Sequence, residues 1–145
     1  MRIKSLFSMA SVTVIAATAT ISLAAPAHAA CGSGDYAAVS KTSGIGGGLS
    51  LRITYTYATC TAKASVINSN KYGLKNAGIK LYRRAATKCD PNAANGSRVI
   101  NWYGDIAANS TKTISTVVSP KACFRIYLTD GSSNTVGSID KYVPY

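Results

Sequence analysis

The stretch at residues 49–61, LSLRITYTYATCT, alternates Leu51, Ile53, Tyr55 and Tyr57 with Arg52, Thr54, Thr56 and Ala58, and Cys60 closes it. Period-two alternation of large apolar with polar residues predicts a β-strand, the first set facing a core and the second facing solvent. Later segments repeat the pattern over shorter lengths. Residues 62–68 (AKASVIN) set Ala62, Ala64 and Val66 against Lys63, Ser65 and Ile67, and small inward residues leave room for the bulky tyrosines. Residues 79–84 (IKLYRR) place Ile79 and Leu81 inward, with Lys80 and Tyr82 outward. Further strands are expected at 98–103, 111–118, 122–128 and 135–143, with a weak first strand near 35–41. Strands every ten to fifteen residues, separated by polar turns, indicate a sandwich or barrel. Helical periodicity nowhere exceeds two turns. The expectation is a single disulfide-stapled, all-β domain: an antiparallel β-sandwich, or a small barrel, of about seven strands.

Two segments stand outside the alternation. Residues 42–48 (TSGIGGG) have no propensity for regular structure and read as a flexible connection or long hairpin loop. A phosphate-cradling loop would end in Gly-Lys-Ser/Thr and open a helix, whereas a strand follows here. Residues 85–97 (AATKCDPNAANGS) form the richest loop, with Asp-Pro, Asn-Gly and a cysteine. A loop of that length is often either functional or disordered.

The N-terminus reads as an export signal. Arg2 and Lys4 precede an apolar run at 6–23, and Ala27-His28-Ala29 supplies the small-x-small pattern of a signal-peptidase site. Residues 1–29 are therefore expected to be cleaved, leaving 30–145 as one secreted domain that buries roughly 65% of its unfolded surface. An uncleaved anchor is disfavoured by the cleavage pattern. A lipoprotein acylated on Cys31 would want an apolar residue where His28 stands, and would leave an odd thiol. No later apolar stretch is long enough to span a bilayer.

Four cysteines, Cys31, Cys60, Cys89 and Cys123, follow the leader. In an exported chain they read as two disulfides with three possible connectivities. Spacings of 29, 29 and 34 residues lack the close pairs of a zinc site, so no metal is expected. The preferred pairing is Cys31–Cys60 with Cys89–Cys123. It ties the N-terminal segment to the main strand and the central loop to a late strand. An alanine-rich leader followed by a small two-disulfide β domain is similar in general build to exported proteins of high-GC Gram-positive bacteria. That likeness is general and carries no function.

Catalytic chemistry finds little to work with. The only histidine, His28, leaves with the leader, and the chain has no Glu. Ser-His-Asp and Cys-His arrangements are thereby unsupported. Ser138-Ile139-Asp140-Lys141 spells SxxK, but on a strand residues three apart point to opposite faces. Of five aspartates, Asp90, Asp105 and Asp130 sit beside proline or glycine, the settings of turn residues rather than paired catalytic acids. No enzyme and no cofactor are expected.

What remains is charge and aromatic surface. Sixteen Lys and Arg against five Asp give a net charge of +11, or +9 once Arg2 and Lys4 are removed. Lys80, Tyr82, Arg83, Arg84, Lys88 and Arg98 concentrate that charge, with Lys80, Tyr82 and Arg84 on one face of the predicted strand and Arg83 on the other. Such a face either keeps an edge strand soluble or binds an anionic partner, with Tyr82 available to stack. Trp102 is read as an inter-sheet plug or a binding aromatic, and Tyr103, Tyr142 and Tyr145 as a partner-facing patch. The expected function is a secreted, non-catalytic binding domain, a protein–protein adaptor or a binder of an anionic cell-envelope polymer. An antibacterial toxin or toxin-complex component, and a protease inhibitor presenting the 85–97 loop, are the alternatives. The charge alone would admit nucleic acid as a partner, but nothing resembles an RNA-binding signature or a helix-turn-helix, so that partner is unsupported.

Overall fold

Alternation at the main strand builds β2 (Leu49–Thr56), in which Leu49, Leu51, Ile53 and Tyr55 are buried and Arg52 is exposed. The computed structural model describes Cys31 and residues 38–144. The expected signal peptide, the start of the expected first strand, Tyr36 and Tyr145 lie outside the described residues. The alternation stops sooner than its pattern implies. Tyr57–Thr59 form a 3-10 turn, Cys60 adopts a left-handed φ of 51°, and the chain reverses into β3 (Thr61–Asn68). Tyr57 remains buried all the same. In this hairpin Leu51 lies opposite Val66, Ile53 opposite Ala64 and Tyr55 opposite Ala62. Each large side chain thus has a smaller neighbour on the same face, which leaves room for packing from the second sheet.

The glycine-rich segment corrects the expectation of a flexible loop. β1 (Ala38–Gly46) runs through most of it and pairs antiparallel with β2, with an irregularity between Gly44 and Gly46. Gly47 and Gly48, at φ of 55° and 71°, make the turn, a conformation that L side chains rarely adopt. Ladder bonds to a strongly specified neighbour override weak local propensity.

β4 (Leu74–Ala85), β5 (Ser97–Ile106), β6 (Ser110–Val117), β7 (Ala122–Thr129) and β8 (Thr135–Val143) complete the fold. Sheet A has the order β1-β2-β3-β6 and sheet B the order β5-β4-β7-β8, all pairings antiparallel. The fold is thus an open eight-stranded sandwich, neither a barrel nor seven strands. The eighth strand is β1, which overlaps the weak segment near 35–41.

One core fills the space between the sheets. Leu51, Ile53, Tyr55 and Val66 of sheet A meet Ile79, Leu81, Phe124, Ile126 and Leu128 of sheet B, all essentially solvent-free. Tyr55 centres the contact, its ring 5.7 Å from Phe124 and edge-on to Tyr57 at 5.1 Å. Its hydroxyl donates to the Val118 carbonyl at 2.8 Å, and that of Tyr57 to the Pro144 carbonyl at 3.1 Å. Buried Asn68 donates to the Tyr72 and Ala107 carbonyls and accepts from the Asn70 N–H, fastening the β3–β4 and β5–β6 crossings between the sheets. Among the described residues no buried side-chain polar atom lacks a partner.

Burial, and secondarily the nearby Tyr57, pushes the Tyr55 phenol up to about 12 from its ordinary 10.0. A raised folded-state pKa means that the contribution is intact below pH 10 and lost as pH rises toward 12. Stability is therefore expected to decline between those values. The Tyr55→Phe variant should lose about 1 kcal/mol at neutral pH through the orphaned Val118 carbonyl, yet show a shallower decline above pH 10. Denaturant midpoints from pH 7 to 11.5 measure both.

Candidate binding face

Register places the outward residues of sheet B in rows. Asn101, Lys80, Tyr127 and Ser138 form one row, Arg98, Tyr82, Arg125 and Asp140 the next, and Arg84, Cys123 and Tyr142 a third. The outer face of sheet A is different in kind: Ser50, Thr54, Thr56, Ser65, Thr111, Thr113 and Ser115 with two cations, Arg52 and Lys63. Tyrosine and concentrated charge belong to sheet B.

The loop at 86–96 lies on this face and is held there four ways. Cys89 is bonded to Cys123, with Cα atoms 5.1 Å apart. Arg125 donates to the Asp90 carbonyl (2.9 Å), the Ala93 carbonyl (3.3 Å) and Asn95 Oδ1 (3.2 Å). The Tyr127 hydroxyl donates to the same Asn95 oxygen at 2.6 Å. Gly96 brings the chain back onto β4 at a φ of 74°, where an added Cβ would lie 2.5 Å from the Arg83 carbonyl oxygen. The other disulfide joins Cys31 to Cys60. Two disulfides fit an oxidising compartment, and no helix among the described residues is long and apolar enough to cross a membrane.

Arg125 is the hub of this arrangement. Its side chain is 12% exposed and pairs with Asp140 at 3.1 Å, while Lys41 of β1 approaches the same carboxylate at 3.8 Å. Burial works against the charge, but hydrogen bonds to Asp140 and Tyr127 hold the guanidinium above its ordinary pKa. The cation stays charged and is spent internally.

The remaining cations on the face are not spent. Lys80, Arg84, Lys88 and Arg98 form no ion pair among the described residues. Lys80 lies 5.7 Å from the ring centre of Tyr103, which is 53% exposed. Tyr82 meets Tyr127 edge to face at 5.7 Å, and Arg98 stands directly across the ladder from Tyr82. Of the sequence-derived candidates, the structure thus brings Lys80, Tyr82, Arg84 and Arg98 together, with Lys88 next to the tethered Cys89.

Arg83 and Trp102 sit elsewhere. Arg83 points to the inner side, where it donates to the Ser119 and Pro120 carbonyls at 2.8 and 2.9 Å and secures the β6–β7 connection. Trp102 lies opposite Ile79 and packs against the core at the open side, with Lys112 4.5 Å above its ring.

The carboxylates among the described residues are similarly engaged. Asp90 accepts from the Asn92 N–H. Asp105 accepts from Lys75 at 2.7 Å and the Asn76 N–H, which together hold its carboxyl below its ordinary pKa. Asp130 accepts from Asn134 and Ser132, with the same effect. Cys89, Cys123 and Asp140 cluster closely enough for a metal, but the sulfurs are joined to each other and the carboxylate is paired with Arg125. Ser138 and Lys141 lie opposite Tyr127 and Phe124, hence on opposite faces of β8.

Three cavities accompany the face and the sandwich end. One of about 280 Å³ is lined by Ile67, Asn68, Ser69, Asn109, Ser110 and Thr111. Another of about 240 Å³ lies beside Arg125, Asp140 and Pro91. The third, about 130 Å³, opens between Lys80, Tyr82, Asn95 and Tyr127. All fall below the roughly 300 Å³ at which sites for whole small molecules begin.

Sequence reasoning missed Arg125, Tyr127 and Asn95. The signal was available in combination: once Cys89 pairs with Cys123, residues two and four positions along β7 lie on the same face beneath the loop. No protein-family model, curated protein or solved structure matches this chain. Fold and face together define a disulfide-bonded β-sandwich with a basic, tyrosine-bearing outer surface.

Proposed function

We propose that the chain is an exported, non-catalytic binding domain that docks a second exported protein through the outer face of sheet B. The observation that carries this reading is the group of cations around Tyr82, namely Lys80, Arg84 and Arg98, without counter-ions on a face whose loop is already fixed. Tyrosine and arginine are the residues on which interface energy concentrates. A pre-ordered loop lowers the entropy cost of association. Cavities too small for a whole ligand favour a broad surface partner, and the charge selects an acidic one. The turn and ion-pair roles of the four described aspartates support the non-catalytic part.

Affinity capture from culture supernatant tests the reading against the cell-envelope alternative. The purified protein is expected to retain an acidic protein in fixed stoichiometry. Arg98→Glu should weaken that complex at least tenfold while leaving the melting temperature unchanged. Tyr82→Ala should weaken it comparably with a small loss of stability from its missing ring contact with Tyr127, and added salt should weaken the complex further. Sedimentation with purified wall polymer and no protein partner would transfer the function to an envelope polyanion. Retention of neither ends the proposal.

A further inference from the structure

The geometry points to the small cavity beside Lys80 as a receptor for one carboxylate, presented by an acidic side chain of the docked protein. This deepens the reading above and rests on it. The cavity is lined by Lys80, Tyr82, Asn95, Tyr127, Thr129, Ser133 and Thr135, so it offers an ammonium, an amide and hydroxyls and contains no acidic residue. Asn95 is fixed in orientation, because its Oδ1 accepts from both the Tyr127 hydroxyl and Arg125. Its NH2 group is therefore the free end, and among the described residues it has no acceptor. Thr129 is turned away toward the Gly78 carbonyl, at 3.4 Å.

Comparison of the three cavities singles this one out. The 240 Å³ cavity contains both Arg125 and Asp140, whose pairing cancels the charge. The 280 Å³ cavity has no charged residue in its lining. Only the Lys80 cavity of these three holds a cation without a counter-ion. Its volume of about 130 Å³ far exceeds the ~10–15 Å³ that one water needs, so a carboxylate fits together with bridging waters. Hydrogen bonds from an ammonium to a carboxylate are roughly twice as strong as neutral ones. Lys80 also stands directly opposite Tyr127 on the ladder, which ties the cavity to the loop clamp.

Titration of the isotope-labelled protein with sodium acetate and with N-acetylglutamate, at ionic strength held constant with chloride, tests this by NMR. Saturable shifts of the Asn95 side-chain NH2 and of the Lys80 and Thr135 amides are expected. Lys80→Gln should raise the apparent Kd at least tenfold, and Thr135→Val should raise it by a smaller factor, both with otherwise unchanged spectra. Equal shifts in wild type and Lys80→Gln overturn the proposal. So does saturation by inorganic phosphate without saturation by either carboxylate. If Lys80→Gln abolishes acetate binding while Arg98→Glu leaves protein capture intact, the carboxylate site stands and the docking face falls. If the reverse holds, the docking face stands without this site.

Discussion

Replacing Cys89 and Cys123 together with alanine is expected to lower the unfolding free energy by about 4 kcal/mol. The bond closes a 34-residue separation, and chain-entropy loss in the unfolded state for a loop of that size accounts for the figure. For a domain of about 100 residues this corresponds to a fall in Tm of roughly 15–20 °C. The double variant should still fold, because Ile79, Leu81, Phe124 and Ile126 pack the core without help from the bond. Alanine is the proper replacement: Cys123 is buried under the loop, where a serine hydroxyl would need a partner. Partner affinity should fall as well, since a loop tethered only by Arg125 and Tyr127 must be ordered at the moment of association. Denaturant unfolding and partner titration measure the two effects separately. A stability loss under about 1 kcal/mol would show that the unfolded chain gains no freedom when the bond is removed.

The fold was legible where alternation was strict. Strands β2 and β7 carry apolar residues at period two, so register and face follow from side-chain chemistry alone. The first part of β1 falls in the weak strand expected near 35–41, but its second part was hidden because it depends on β2. Gly44 and Ile45 have no strand signal of their own, yet Ile45 packs beside Gly137 of β8 and is half-buried. The β2–β3 turn was hidden for the opposite reason. Tyr57 fits the strand pattern and is buried, but it reaches the core from a 3-10 turn. Burial is set by position in space, and two backbone conformations can deliver the same side chain to it.

The face was legible by parity and charge, and its organisation was not. Lys80, Tyr82 and Arg84 share a face by simple alternation, and Arg98 joins them only through the β4–β5 register shift at Leu81 and Tyr82. Arg125 gave no signal because a lone cation on a strand reads as a solvated residue. Three of its acceptors lie 30 to 35 residues earlier in a loop with no regular structure, and only the three-dimensional path of that loop makes them converge. Arg83 illustrates the reverse error, a cation in a basic cluster that works as a fastener for the carbonyls of Ser119 and Pro120.

Removing the Arg125 guanidinium is expected to cost about 3 kcal/mol, the lower end of the range for breaking a buried pair, because Asp140 retains some solvent contact. Arg125→Met keeps the apolar stem and deletes the charge. It leaves the Asp90 and Ala93 carbonyls without this donor, Asn95 Oδ1 with Tyr127 alone, and Asp140 with only the more distant Lys41. Arg125→Lys should recover less than half of the loss, since one ammonium on a flexible stem cannot replace a planar fork that spans four acceptors. Arg125→Met combined with Asp140→Asn should be less destabilised than the two single variants predict by addition, because no carboxylate is then left short of its cation. Unfolding curves for this cycle give the coupling, and amide exchange across residues 86–96 reports whether the loop is released. An Arg125→Lys protein with wild-type stability and unchanged exchange would mean that a single charge at that position suffices. The loop would then owe its place to the Cys89–Cys123 bond and Tyr127, and the binding face would be ordered without the arginine fork.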